Sequence, residues 1–467
     1  MGSMNRRLVQ ATIGTLLAMG ALAQAHPVAA ATPAWTAYVT GSNTVTPIAT
    51  ASNTGGTPIT VGSAPLGIAI TSDGKTAYVA NALSDNVTPV ATASNTAGTP
   101  IAVDTHPVEI AITPDGTTAY VANEDSNTVT PIATASNTAG TPIPVGNDPF
   151  GIAITPDGTT AYVANSGSNS VTPIATASNT VGTPIPVGNA PFRIAITPDG
   201  TTAYVANEGS NNVTPIATAS NTAGTPIAVG TRPVGIAITP DGKTAYVANS
   251  GSNSVTPIAT ASNTAGTPIT VGSAPNGIAI TPDGTTAYVA NQLSNTVTPI
   301  ATASNSAGTP IPMGSAPTGV AITPDQGPVA HLSVTAGQAG SATSFDASAS
   351  TVTFGSIATY AWTFGDGSSA STTAPTTTHT YAAAGTFTVR VTETSSGGTS
   401  TTQVFTGQTM SRNGGPSATT SQAVSVAAAA VTPVPAAGAG MPLPAGAVTI
   451  SVGIAMLLLG ASRRREP

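Results

Sequence analysis

The sequence predicts an all-β fold, built first from a repeat and then from a second, non-repeating β domain. Three observations predict it. Seven tyrosines (Tyr38, Tyr78, Tyr120, Tyr162, Tyr204, Tyr246 and Tyr288) mark copies of one unit, spaced by 40 residues once and by 42 thereafter. Each copy is a set of short β-like runs cut by turns, and a period near 40 residues of that kind signals a radial or linear repeat architecture. After Asp325 the period stops and the texture changes.

Within one copy four strands are expected, TAYVAN (160–165), SVTPIAT (170–176), GTPIPVG (182–188) and FRIAIT (192–197). TPDG joins the last of these to the next TAYVAN, and Pro, Asp and Gly in that order suit a type I turn closing a hairpin. Every third strand carries a proline, for example Pro47, Pro131, Pro173 and Pro299. A proline has no N–H for the ladder, so a bulge or a peeled outer strand is expected there.

Residues 161–200 carry a resemblance to the YVTN family of β-propeller repeats, in Tyr162-Val163-Ala164-Asn165, the Val187-Gly188 step, Pro191 and Ile194–Gly200. The match runs from Trp35 to Asp325. It implies a β-propeller whose GIAIT strand is innermost, in a surface-layer type of protein. The phase at the ends then predicts closure. The repeats open with TAYVT (36–40), a second strand with no first, and finish with GVAIT (319–323), a first strand with no second. Together they complete one blade, so seven blades close without leaving a sheet edge.

Residues 327–426 resemble a PKD domain, through Phe345–Ser348, Tyr360-Ala361-Trp362-Thr363-Phe364-Gly365-Asp366-Gly367, His379-Thr380-Tyr381 and Gly385–Val389. This implies an immunoglobulin-like β-sandwich. Tyr360, Trp362 and Phe364 alternate onto one strand face and read as core. His379 reads as core or turn packing rather than as a ligand. Residues 401–426 look like an added hairpin or a late strand.

The two ends read as targeting segments. Arg6-Arg7, the apolar stretch Leu8–Leu22 and the small-residue sites at 23–25 and 29–31 form a signal peptide over residues 1–31. Residues 32–326 are then the propeller, and 427–440 a Pro/Ala/Gly linker. Residues 441–467 are an apolar anchor or sorting segment that ends in Arg463–Arg465. Its MPLPAG stretch resembles bacterial sorting tails read by exosortase-type systems, and departs from the sortase pattern because no Thr follows Ala445. Its apolar run of about 17 residues barely spans a bilayer core of ~30 Å. The chain is therefore expected at the cell surface, held to membrane or cell wall through this segment.

Composition narrows the function. Only 6% of residues are charged and the net charge is −7, which disfavours nucleic acid, whose phosphates need basic stripes. There is no cysteine, so no disulfide or thiolate metal site forms. No cofactor or metal is expected, since no carboxylate spacing of the calcium-loop kind occurs. No catalytic residues are assigned, because no nucleophile elbow or phosphate loop appears. Asp73, Asp115, Asp157, Asp199, Asp241, Asp283 and Asp325 repeat on one rim and read as turn formers. The loops of the other rim vary between copies. Glu109 and Arg193 there replace the glycine seen at Gly67, Gly151 and Gly235, and Phe150 and Phe192 each precede that position. These four, with His106, Asp148 and Arg232, are the candidate ligand-binding residues. The expected partner is an extracellular polysaccharide or a protein, bound for adhesion. A structural surface-layer or stalk role is the alternative, and a propeller-type lactonase or lyase the third reading.

Overall fold

A computed structural model describes residues 35–429, save 315, 325–326, 353–355 and 396–417. The expected signal peptide, the expected anchor segment 441–467 and most of the expected linker lie outside the described residues.

The repeats fold as seven sheets arranged in a ring. We number the blades from the one whose inner strand is Pro65–Ile70. The third blade shows the plan: inner strand Pro149–Ile154, second Thr160–Asn165 and third Ser170–Ala175, all antiparallel. Ala161, Val163, Val171 and Ile174 are fully buried between blades, and apolar burial of this kind stabilises by roughly 25 cal/mol per Å². The seventh blade is shared by the two ends of the ring. Thr36–Thr40 pairs with Val320–Ile322, with Ala37 opposite Ile322, Tyr38 opposite Ala321 and Val39 opposite Val320. The closure expected from the phase of the repeats is present.

The fourth strand departs from expectation. A single strand over 182–188 is replaced by two short pieces, Thr180–Val181 and Ile185–Pro186, both paired with the third strand. Pro173 lies opposite the break. Its carbonyl accepts the Gly182 amide at 2.8 Å, so its ring nitrogen faces the same outer side and returns no hydrogen bond. The ladder therefore fails on the outer edge only, and the inner three strands are untouched. The repeated aspartates form the turns as expected. The Thr155 hydroxyl donates to Asp157 at 2.5 Å, and the Thr159 amide donates to the same oxygen at 3.0 Å.

A belt of tyrosine–asparagine hydrogen bonds holds blade to blade. Each repeat tyrosine is buried, and its hydroxyl donates to an asparagine in the next blade, from Tyr38 to Asn95 at 2.7 Å, round to Tyr288 and Asn53 at 2.6 Å. The bond from Tyr288 to Asn53 crosses the seam of the ring. Burial pushes the phenols of Tyr38 and Tyr288 up to about 12, so they stay neutral donors. The asparagines adopt left-handed backbone, φ 51–55°, which this residue tolerates better than most. Tyr162→Phe should therefore lower propeller stability by about 1–2 kcal/mol, by stranding Asn221 Oδ1. A shift in the urea midpoint at constant slope measures it.

The second domain is a sandwich of two sheets. Ser333–Thr335, Ala342–Asp346 and Thr376–Thr380 form one. Ser369–Thr372, Ile357–Thr363, Gly385–Ser395 and Thr419–Val426 form the other. The late strand of the expectation is Thr419–Val426. Phe345, Tyr360, Trp362, Phe364 and Tyr381 make the core. His379 packs as expected: its ring stacks on Phe364 at 4.3 Å, and Nε2 lies 2.7 Å from Asp366. Glu393 is a fully buried carboxyl. One oxygen accepts from the Ser350 hydroxyl at 2.5 Å and the other has no hydrogen-bond partner. Burial raises its pKa, against the opposing Ser350 bond and His331 charge. A folded pKa above the unfolded one means the stability is present below pH ~4.3 and is lost as pH rises through the folded value. Glu393→Gln should remove that loss and raise the melting temperature at neutral pH, read as a flattened pH profile of thermal unfolding.

Candidate functional site

The candidate site lies at the mouth of the central channel, where the inner strands begin. The inner strands of the first six blades each open on a proline, and their pairing with the second strand is irregular over the next one or two residues. Such bulges re-aim side chains at a rim. Glycine fills this column at 67, 151, 235, 277 and 319 because the neighbouring blade is close. A Cβ on Gly235 would lie 2.0 Å from the Asn276 carbonyl oxygen, and one on Gly151 2.3 Å from that of Phe192.

The two exceptions, Glu109 and Arg193, reach across the axis to each other. Arg193 Nε donates to Glu109 Oε2 at 2.5 Å, and Nη1 donates to Asn276 Oδ1 at 2.7 Å. One guanidinium thus ties the second, fourth and sixth blades. The two charged side chains are only 12% and 10% exposed. Phe150 and Phe192 stack on each other with centroids 3.6 Å apart, and Arg193 sits 5.7–5.8 Å from both centroids. The electrostatic attraction of a cation for ring faces adds about 0.5–2 kcal/mol at such distances. Phe150 is buried under this stack, so the Phe150–Phe192 pair turns part of its ring surface inward rather than toward a ligand. Below the brace the channel is lined by inner-strand residues such as Ile110, Ile152, Ile194, Ile236 and Ile278, and encloses about 60 Å³. That is room for only a few waters, against roughly 300–1,000 Å³ for small-molecule pockets.

The other three candidates stand away from the axis, at one equivalent position in the interblade loops. His106, Asp148 and Arg232 all have left-handed backbone, φ 49–58°. Their amides donate to Asp85, Asn127 and Asn211 of the preceding blade. The His106 ring lies 3.5 Å from both Glu124 and Asp125, and burial raises the Glu124 pKa while His106 opposes the rise. Arg232 is paired with Glu208. So the structure joins Glu109, Arg193, Phe150 and Phe192, and leaves His106, Asp148 and Arg232 on the outer rim. Among the described residues no group of three or more His, Asp or Glu is placed to hold a metal ion.

Asn276 was not foreseen. Its signal is an amide in a column otherwise filled by Leu66, Val108, Phe150, Phe192, Val234 and Thr318. Both ends of the ring meet on the opposite rim, where the Thr323 amide donates to the Thr36 carbonyl at 2.9 Å. Among the described residues, the ring therefore begins and ends on the rim opposite the variable one.

Comparison with known proteins agrees with this architecture. The family model described as lactonase, 7-bladed beta-propeller, matches residues 34–147 and 219–319, and that of the PKD domain matches 325–409. The hydrazine synthase of Kuenenia stuttgartiensis is similar at 26% identity, over 60% of this chain and 99% of that one, with a TM-score of 0.54. A functionally unknown protein from Desulfotomaculum acetoxidans is 21% identical over 62% and 98%, TM-score 0.55. A putative 6-phosphogluconolactonase from Bacteroides uniformis is 16% identical over 62% and 99%, TM-score 0.54. The last two likenesses show the fold alone. No curated protein matches the chain.

Proposed function

We propose that this is an exported cell-surface protein whose propeller is a non-catalytic recognition module, binding an extracellular polysaccharide or protein through its variable rim. The surface-layer kind of repeat implied by the YVTN resemblance, and anchoring through residues 441–467, belong to the same proposal. One observation carries it. The place where a propeller would hold a small substrate is here an axial space of about 60 Å³ beneath a buried Glu109–Arg193–Asn276 brace. The rim outside it carries most of the variation between copies and lies opposite the rim where the described ring begins and ends. Recognition on such a surface needs no enclosed pocket, only exposed side chains that differ from blade to blade.

The match to a lactonase model supports the second reading, so the test has two arms. A glycan and matrix-protein array probed with the full chain should give a ligand whose binding Phe192→Ala and Arg232→Ala weaken at least tenfold. Hydrolysis of 6-phosphogluconolactone well above the spontaneous rate would replace recognition by catalysis. Cell fractionation with and without residues 441–467 tests the location, which loss of that segment should shift from the envelope to the medium.

A further inference from the structure

Leu83 and Leu293 are 71% and 74% exposed. They occupy the same position of the repeat, the loop between second and third strands, where the second to fifth blades carry Asp125, Gly167, Gly209 and Gly251. They belong to the first and sixth blades, which flank the seventh. The seventh is the blade whose corresponding loop, Gly41–Asn43, is two residues shorter, the origin of the 40-residue step. Two exposed leucines thus border a notch in the variable rim. Of the loops around the notch, 292–295, 41–43 and 61–64 contain no ionisable residue, and the loop that carries Leu83 contains Asp85 alone.

We propose that this rim docks on a second copy of the chain, rim to rim, about a two-fold axis that lies along the radius of the seventh blade. The proposal rests on the reading of this rim as an interaction face and names the partner. A two-fold axis makes an isologous contact, in which residue i meets j and j meets i. An axis through the seventh blade sets the first blade of one copy over the sixth of the other, the second over the fifth, and the third over the fourth. Leu83 then meets the second copy's Leu293, twice. Of the seven radial axes through a blade, no other pairs them.

The same axis, chosen on the leucines alone, also sorts the charges. It brings the loop entering the third blade over the loop entering the fifth, so Asp148 faces the second copy's Arg232, again twice. Glu124 and Asp125 of the second blade face Ser250 and Gly251 of the fifth. Glu208 of the fourth faces Ser166 of the third, and Asp104 and His106 face Gly272 and Ala274. Arg232 is already paired with Glu208 of its own chain, so Asp148 meets an ion pair, and no other carboxylate position maps onto a carboxylate of the second copy. Like charges brought face to face would cost several kcal/mol, and this arrangement avoids them.

The chain has no cysteine, which makes the test specific. Full-length Leu83→Cys and Leu293→Cys chains, each alone and then mixed, are oxidised mildly in detergent. The mixture should give a disulfide-linked dimer and each variant alone should not, because the axis places unlike blades together. A mixture that cross-links no better than the single variants overturns the proposal. In light scattering, Asp148→Arg should lower the association constant at least tenfold, and adding Arg232→Asp to the same chain should restore it. An unchanged mass with Asp148→Arg also overturns it. A monomeric chain whose ligand binding is lost with Phe192→Ala would remove the second copy and leave the rim as an interaction face. A chain in which neither changes would remove both.

Discussion

Arg193→Ala should destabilise the propeller by about 3–5 kcal/mol, although no strand or turn contains the lost contact. The reason is the carboxylate left behind. Glu109 is 8% exposed and its partner across the channel is the Arg193 guanidinium. Removing one member of a buried pair leaves a desolvated charge with nothing to offset it. The Asn276 carbonyl would lose its donor and the Phe150–Phe192 stack its covering cation. The compensating change is written in the other copies. Glu109→Gly with Arg193→Gly restores the column to the residue found at 67, 151, 235, 277 and 319. That double variant should lie within about 2 kcal/mol of the parent, each glycine costing roughly 0.5–1 kcal/mol in chain entropy. Urea unfolding of the four members of this cycle gives the coupling directly. A loss under 1 kcal/mol for Arg193→Ala would mean that Glu109 is solvated and the brace is ornamental.

The second large effect is expected at the seam. Ala321→Pro should destabilise the ring by at least about 3 kcal/mol and broaden its unfolding transition. Val320–Ile322 is a three-residue strand with three paired positions. The flanking hydrogen bonds, Thr40 amide to Gly319 carbonyl and Thr323 amide to Thr36 carbonyl, put the alternate Ala321–Tyr38 pair in the hydrogen-bonded class. A proline there strands a buried carbonyl, which alone costs about 1–3 kcal/mol, and its ring has no room beside a paired strand. The repeat prolines are tolerated because their nitrogens face the outer edge. Differential scanning calorimetry reads the result, and a sharp transition at the parental temperature would show that the strand pair is not what seals the ring.

Much of this was legible in the chain. The 42-residue spacing, the aspartate turns and the half-blades at the two ends follow from local chemistry repeated seven times. The proline in the third strand announced trouble with the ladder, but not its side. That depended on which way the Pro173 carbonyl faces, a matter of register between strands. The tyrosine–asparagine belt was present as residues that recur in every copy, yet its pairing joins side chains up to 59 residues apart, and 235 across the seam. The candidate site was half visible. Glu109 and Arg193 stood out by replacing glycine, and Phe150 and Phe192 by their size. That the first two form one ion pair, and the last two cover each other, was not.

The sequence by itself determined the repeat, its turns and the half-blades at its two ends, because hydrophobic alternation and turn residues act over a few residues at a time, and the ring and the sandwich were legible through the resemblance of its motifs to β-propeller repeats and a PKD domain. Only the tertiary structure decided what the exceptional residues do. Glu109 and Arg193 are 84 residues apart in the chain and meet at 2.5 Å because curvature brings non-adjacent blades together at the axis. Bending seven sheets into a circle converts distance along the chain into proximity across it, and that conversion is a property of the packing between blades rather than of any one of them.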